Sequence, residues 1–269
     1  MTVPFRLALV INTFDQPEYL DRVFRAVFGQ TSLPDEILVA DDGSGEDTKQ
    51  VVAKWTTKNT NVRHIWQQKD GFRRARILNE AIVQTRADYL VFLDGDTVPH
   101  PRFTADHRAL ADRGSFLQGH RALLRQSGSI FFGLGNFVRD RARALWKGQI
   151  EGWQNAYRWP RAWVQRRADL HGIRGCNLAI WRDDLVEVNG YNEAFVGWGR
   201  EDSELAVRLM NFGVRRMDVR GWGLCYHLWH PPASRAGLPV NDQLLAETQQ
   251  KRTIRCEHGL DSHSAGSRR

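Results

Sequence analysis

Residues 87–100 read Ala-Asp-Tyr-Leu-Val-Phe-Leu-Asp-Gly-Asp-Thr-Val-Pro-His. Tyr89 to Leu93 is an unbroken apolar run of β-forming residues. Such a run suits a strand buried on both faces, as in a parallel sheet covered by helices. The apolar character stops at Asp94-Gly95-Asp96. Carboxylates at the C-terminal end of a buried strand lie where open α/β sheets bind ligands. Gly95 is expected to let the backbone turn so that both acids face one point. Two close carboxylates repel unless a cation sits between them, and Mg²⁺ or Mn²⁺ is the hard, oxygen-seeking choice. Taken alone, Asp-Gly-Asp is equally well explained as a polar turn that ends a strand.

The pattern repeats upstream. Phe5 to Ile11 runs into Asn12-Thr13-Phe14-Asp15, Ile37 to Ala40 runs into Asp41-Asp42-Gly43-Ser44-Gly45, and Val62 to Trp66 is a third apolar strand. Between them lie helical faces. Leu20, Val23, Phe24, Val27 and Phe28 follow Pro17, which can open a helix. Val51, Val52 and Trp55 form the next face, and Ala75, Leu78, Ala81 and Ile82 the one after. Strands alternating with helices over short links predict an α/β fold: a mostly parallel central sheet, helices on both faces, right-handed crossovers.

Downstream the pattern loosens. A helix is expected from the Pro99/Pro101 region to Leu110, then extended chain over Phe116–Leu124. Residues 139–174 interleave Trp146, Trp153, Trp159 and Trp163 with arginines. Ile173 to Trp181 is extended with a break at Gly175, and Asp183–Val188 is a short helix. Ser203–Asn211 is helical, Leu224–Tyr226 is a strand ending in His227-Leu228-Trp229-His230, and Asp242–Arg255 is a polar helix. One domain over residues 1–260 is expected, with a disordered Ser- and Arg-rich tail at 261–269.

Composition sets the class. The 269 residues are 42% apolar and carry 10 Trp, a heavy load of flat apolar surface for a core or for a site that holds rings. A formal net charge of +7 favours anionic partners: nucleotides, phosphorylated glycolipids, acidic membrane surface or nucleic acid. Cys176, Cys225 and Cys256 are scattered, which suits a reduced compartment better than a disulfide scaffold. The N-terminus lacks a signal-peptide pattern, and no apolar run approaches the roughly 18 residues of a membrane span. A soluble cytoplasmic protein, or one peripheral at the inner face of the plasma membrane, is the expectation.

Three strand ends carry polar residues toward one sheet edge: Thr13–Asp15, Asp41-Asp42 and Asp94-Gly95-Asp96. Their convergence predicts a nucleotide and metal site. No GxGxxG follows the first strand and no GxxxxGK[ST] occurs, which argues against dinucleotide and P-loop sites. Lys69-Asp70-Gly71-Phe72-Arg73-Arg74-Ala75-Arg76 places cations at a helix start, where anions are favoured. A solvated basic face explains Arg74 and Arg76 equally well, and Arg73 less well. Gly197-Trp198-Gly199-Arg200-Glu201-Asp202 sets a flat aromatic between glycines and then two acids. The acids could simply cap a helix. The exposed plane suits a sugar face, and a carboxylate beside it could act as general base. His227, or His230, would suit a diacid metal site as a further ligand.

With these pieces assembled, the chain resembles the family 2 glycosyltransferases of the GT-A fold. Its second half is similar to the module shared by animal β-1,4-galactosyltransferases and bacterial chondroitin-type polymerases. The matching residues are Val-Ile-Asn-Thr-Phe at 10–14, Asp-Asp-Gly-Ser at 41–44, Asp-Gly-Phe-Arg at 70–73 with Asn79, Asp-Gly-Asp at 94–96, and Gly-Trp-Gly-Arg-Glu-Asp at 197–202. The resemblance implies a Rossmann-like nucleotide-binding half over about 1–114 and a smaller acceptor-binding half over about 115–260. It implies that Thr13, Asp42 and Arg73 hold a uridine-type base, with Asp41 as the alternative to Asp42. Asp94, beside Gly95, would meet ribose or metal. Asp96 and His227 would ligate Mn²⁺ or Mg²⁺. Trp198 would pack on a sugar, Asp202 would be the catalytic base and Glu201 an acceptor contact. The implied activity is inverting transfer from a nucleotide-sugar, UDP-linked, to a glycan or glycolipid acceptor in bacterial surface polysaccharide or lipopolysaccharide synthesis. No nucleic-acid partner is implied. The alternative is a catalytically inactive nucleotide-sugar-binding subunit of an assembly complex. Apart from the resemblance, Trp interleaved with Arg over residues 139–174 suits a wall of the acceptor site that docks peripherally on an anionic membrane, and equally a core-packing subdomain with a solvated basic face. The galactosyltransferase pattern carries Gly where this chain has Arg200, and often a third acid where it has Ser203.

Overall fold

A computed structural model describes residues 4–264. Four parallel strands make the first half: β1 (Leu7–Thr13), β2 (Glu36–Asp41), β3 (Val62–Trp66) and β4 (Tyr89–Asp94). They alternate with helices α1 (Pro17–Phe28), α2 (Glu46–Lys58) and α3 (Arg74–Gln84). A short β5 (Thr97–Pro99), α4 (Phe103–Leu110), β6 (Ser115–Gly119) and β7 (Arg121–Leu124) follow. Next come α5 (Gln126–Ser129), α6 (Phe137–Trp146), β8 (Ile150–Glu151) and β9 (Trp163–Arg167). The chain continues through β10 (Leu178–Trp181), α7 (Arg182–Glu187), α8 (Glu201–Phe212), β11 (Arg215–Arg220) and β12 (Cys225–His227). It ends in α9 (Leu238–Lys251) and α10 (Asp261–Ser264).

The main sheet has eight strands in the order β3-β2-β1-β4-β10-β6-β11-β9. Only β10 and β9 run against the rest, so the expected mostly parallel sheet is what forms. Its continuous apolar strands feed two cores, as period-two alternation requires. Leu7, Leu9 and Ile11 pack with Val39, Val91 and the α1 residues Leu20, Val23, Phe24 and Val27. Ala8 and Val10 pack on the other face with Leu38, Phe92 and the α3 residues Ile77, Leu78, Ala81 and Ile82. Trp55 of α2 stacks on Phe28 at 5.2 Å, which ties α2 to α1.

Register decides which residues share the sheet edge. Thr13 pairs with Asp41, and Asn12 pairs with Asp94. A second sheet, β5-β12-β7-β8, was not anticipated from sequence. The run expected as one extended segment over Phe116–Leu124 divides at His120, β6 joining the large sheet and β7 the small one. In the small sheet His227 pairs with Thr97 and Cys225 with Arg121, which carries His227 to the end of the Asp-Gly-Asp turn.

Two further boundaries differ from expectation. α8 begins at Glu201, two residues early, so both acids lie in its first turn. α9 begins at Leu238 with Pro239 in its first turn, where the missing N–H costs nothing. The disordered tail expected over 261–269 is described only in its first four residues, which are ordered. Asp261–Ser264 is a helical turn, anchored by His263 Nε2 to Glu193 at 2.5 Å, and residues 265–269 lie outside those described. Among the described residues no helix is long and apolar enough to cross a membrane.

Candidate active site

Asp96 leaves the end of β4, and β12 brings His227 and then His230 to meet it. His230 Nε2 lies 3.1 Å from Asp96 Oδ2, and His227 Nε2 lies 3.5 Å from Asp96 Oδ1. One ligand atom from each residue can be chosen so that all three fall within 4.8 Å of one another. Burial would raise the Asp96 carboxyl, but the His230 hydrogen bond and both imidazoles overcome it and hold it below its usual range. Burial pushes His227 down to about 4, so it is neutral and its ring nitrogen is available. The hydrogen bond to Asp96 raises His230. One carboxylate oxygen with two imidazole nitrogens suits a first-row dication such as Mn²⁺ better than Mg²⁺, which favours an all-oxygen octahedron. The sequence left His227 and His230 as alternatives; the fold brings both to Asp96.

Arg74 is the residue that sequence reasoning undervalued. Weighted equally as a solvated cation, it is buried at the head of α3. Its Nε donates to Asn12 Oδ1 at 3.2 Å, and its Nη1 donates to Glu201 Oε1 at 3.2 Å and Asp202 Oδ1 at 2.9 Å. Its Nη2 lies 3.6 Å from Asp94. One guanidinium thus links β1, β4 and α8, three segments far apart in sequence. Among these carboxylates it is held firmly protonated, although burial opposes this. Burial raises Asp94, against the pull of Arg74, and the Asp96 charge adds to the rise. Burial and the neighbouring Asp202 charge raise Glu201, again against Arg74.

Asp202 has a second anchor. Gly175 N–H donates to its Oδ2 at 2.7 Å. A methyl group at Gly175 would run into the Arg74 guanidinium and come within 2.6 Å of Asp202 Oδ1. The sequence showed Gly175 only as a break in an extended run. Its use is the close approach of these two side chains. The 197–202 loop is seated by Gly197 N–H on the Phe72 carbonyl at 3.1 Å and by Asn241 on the Gly199 carbonyl at 2.8 Å. It therefore lies beside the 70–73 loop. Trp198 is half-exposed there, with Arg235 5.4 Å over its ring. Arg200 takes φ +80°, a left-handed conformation that favours glycine, and its Nε donates to Asp242 at 2.5 Å.

At the first strand ends the acids separate. Asp42 is buried and accepts from Gln67 at 2.5 Å and from the Arg73 backbone N–H at 2.9 Å; burial raises it. Asp41, the alternative base contact, is turned inward. One oxygen accepts from Ser44 N–H at 2.8 Å and the other meets His64 Nε2 at 2.8 Å, which hold it low against burial. It latches the β2 loop and is fully buried. The Arg73 guanidinium bonds to Asp70. Buried Thr13 Oγ1 has no partner among the described residues. Gly95 is needed for a different reason than a turn: a Cβ there would lie 2.9 Å from Thr13 Oγ1 and 3.1 Å from the Asn12 carbonyl. Arg121, which the sequence did not mark, reaches Cys176 Sγ at 3.4 Å; its Nε has no partner among the described residues, and its charge acts on both Asp94 and Asp96.

Comparison with known proteins gives the family and the fold. A model described as "Glycosyl transferase family 2" matches residues 8–185, and one described as "N-terminal domain of galactosyltransferase" matches residues 162–231. Chondroitin synthase of Escherichia coli is 23% identical over 263 residues, 90% of this chain and 38% of that protein. Validoxylamine A glucosyltransferase of Streptomyces hygroscopicus subsp. limoneus is 26% identical over 241 residues, 81% of this chain and 51% of that protein. The chain thus spans about half or less of the length of these curated relatives. Among solved structures, S. aureus TarS 1–349 in complex with UDP superposes with a TM-score of 0.65 at 13% identity, over 96% of this chain and 68% of that one. The mannosyltransferase PcManGT from Pyrobaculum calidifontis, in complex with GDP-Man and Mn²⁺, gives a TM-score of 0.58 at 14% identity, over 98% of this chain and 74% of that one. These two likenesses speak to the fold, which is GT-A.

Proposed function

Because the chain belongs to glycosyl transferase family 2, we propose that it is a metal-dependent inverting glycosyltransferase that moves a sugar from a UDP-sugar to a hydroxyl of a glycan or glycolipid. The observation that carries this is the Arg74 hub. It holds Asp202 and Glu201 of α8 against Asp94 of β4, two residues from the Asp96, His227 and His230 cluster.

Asp42 faces the imide N–H of the base as an acceptor, and Thr13 offers its unpartnered hydroxyl. Arg73 lends its charge at the rim. Asp94 accepts from the ribose. Asp96 with His227 and His230 holds the divalent ion, Mn²⁺ in preference to Mg²⁺. When bound, that ion offsets the charge that builds on the leaving diphosphate. Trp198 offers an aromatic plane for a sugar ring. Asp202 takes the acceptor proton: each of its oxygens spends one lone pair, on Arg74 or on Gly175, and keeps another for the hydroxyl. Glu201, raised by burial, orients the acceptor as its neutral form can both donate and accept. Bacterial surface polysaccharide synthesis is the setting this suits. The complete carboxylate set favours an enzyme over an inactive binding subunit.

The test is release of UDP from a panel of UDP-sugars with glycan acceptors, with Mn²⁺, Mg²⁺ or EDTA. Asp202→Asn should lower kcat by about 10² to 10⁴, the range for loss of a general base. Full turnover in EDTA, or by Asp202→Asn, would refute the proposal.

A further inference from the structure

α6 shows two stripes to solvent. Val138, Ala142 and Trp146 follow at four-residue spacing, and Arg139, Arg143 and Lys147 follow one position behind. Residues four apart stand one above the other on a helix, so an apolar stripe runs beside a basic one. Asp140 and Ala144 fill the buried side. Trp146 is 85% exposed and Val138 65%, and the preceding loop adds Ile130 at 69% and Leu134 at 53%. Phe131, Leu134, Gly135, Arg139, Asp140 and Arg143 line one open recess of about 520 Å³, with the Arg143 guanidinium 4.1 Å over the Phe131 ring.

Asp140 shares the recess with Arg139 and Arg143, but among the described residues it pairs with neither. Between Gln126 and Ile150 the sole acid is Asp140, and it turns inward onto the backbone N–H groups of Gly133 and Gly135. A polyanion would satisfy the arginines and leave the apolar stripe wet. An apolar protein face would do the reverse. An anionic bilayer answers both at once, because lipid phosphates and acyl chains lie a few ångströms apart in depth. The patch also adjoins the candidate metal cluster. Trp229, between His227 and His230, donates its backbone N–H to Ser129 Oγ at 2.7 Å, and Arg22 donates to the Ser129 and Phe132 carbonyls.

We propose that this face docks the protein on an anionic membrane and that the acceptor is carried on a lipid at that surface. The acceptor clause rests on the glycosyl-transfer reading above; the docking clause does not. The full chain would be sedimented with vesicles of phosphatidylcholine alone or with about 30% phosphatidylglycerol, at about 50 and 300 mM salt, which shortens the screening length about twofold. Pelleting is expected with the anionic vesicles at low salt and not with phosphatidylcholine. Neutralising three charges in Arg139→Gln/Arg143→Gln/Lys147→Gln should lower partitioning about 100-fold, roughly fivefold per charge. Val138→Ser/Trp146→Ser should lower it about tenfold or more at either salt. Thermal stabilisation by UDP with Mn²⁺ should be unchanged in both variants, which reports folding and the donor site independently. Equal binding to both vesicle types, or a variant that pellets like the parent, would overturn the docking. Vesicle binding without any UDP stabilisation would overturn the donor reading and the lipid-acceptor clause with it.

Discussion

Arg74→Lys keeps a cation in the cleft and removes the fork. The guanidinium spans Asn12, Glu201 and Asp202 with three hydrogen bonds of 2.9–3.2 Å and stands 3.6 Å from Asp94. A lysine carries its donors on one nitrogen and can serve one or two of these acceptors. Hydrogen bonds to charged groups contribute about 1.5–3 kcal/mol each, so losing two removes about 3–6 kcal/mol. Asp94 and Asp202 open partly onto the cleft, and water there recovers a share, leaving about 3 kcal/mol. Arg74→Met, which leaves three acids without their cation, should cost about 3–5 kcal/mol. Activity should fall further than stability suggests. Asp202 would keep Gly175 as its one anchor, and a misplacement of about 1 Å costs about 10² in rate. Urea unfolding gives the first quantity and UDP release under saturating donor the second. If the lysine variant unfolds within about 0.5 kcal/mol of the parent and turns over at full kcat, Arg74 is not the hub described.

Gly175→Ala inserts a methyl group between Arg74 and Asp202, and kcat should drop about 10²-fold, because only side-chain ends need shift to admit it. Urea unfolding should show that it costs less stability than Arg74→Met. At position 200 the usual order should reverse. Arg200 sits at φ +80°, where a Cβ costs about 1–2 kcal/mol, so Arg200→Gly should unfold about 1 kcal/mol later than Arg200→Ala although both lose the Asp242 bond. Buried His107 is pushed down to about 4 by desolvation, against weaker support from Asn177 and Asp106. The unfolded chain therefore binds its proton first. Stability is full above about pH 6.5 and falls as pH drops toward 4, by about 3 kcal/mol at most from this group. His107→Gln should flatten that part of a denaturation-versus-pH curve, and an unchanged slope would show that His107 is not neutral in the fold.

The parallel half was legible because its information is local. Leu7–Ile11, Ile37–Ala40 and Tyr89–Leu93 are apolar without alternation, and only burial on both faces accommodates that. Thr13, Asp42 and Asp94 could be placed on one edge because parallel strands of similar length end together. The carboxylates of Asp41 and Asp42, adjacent in sequence, could not be told apart there: His64 and Ser44 capture one, and both partners arrive from outside the dipeptide. Arg74 and Gly175 were missed for the same reason. An arginine in a basic run and a glycine in an extended run look ordinary until their neighbours from other segments are known.

By itself, then, the chain determined which segments become buried strands, where each stops, and that acids cluster at those ends. These follow from apolar periodicity and from the cost of burying charge. The folded molecule decided the rest: that β12 delivers two imidazoles to Asp96, and that one guanidinium gathers Asp94, Glu201 and Asp202. Pairings such as Arg74 with Asp202, 128 residues apart, depend on strand order and register, which no local pattern encodes.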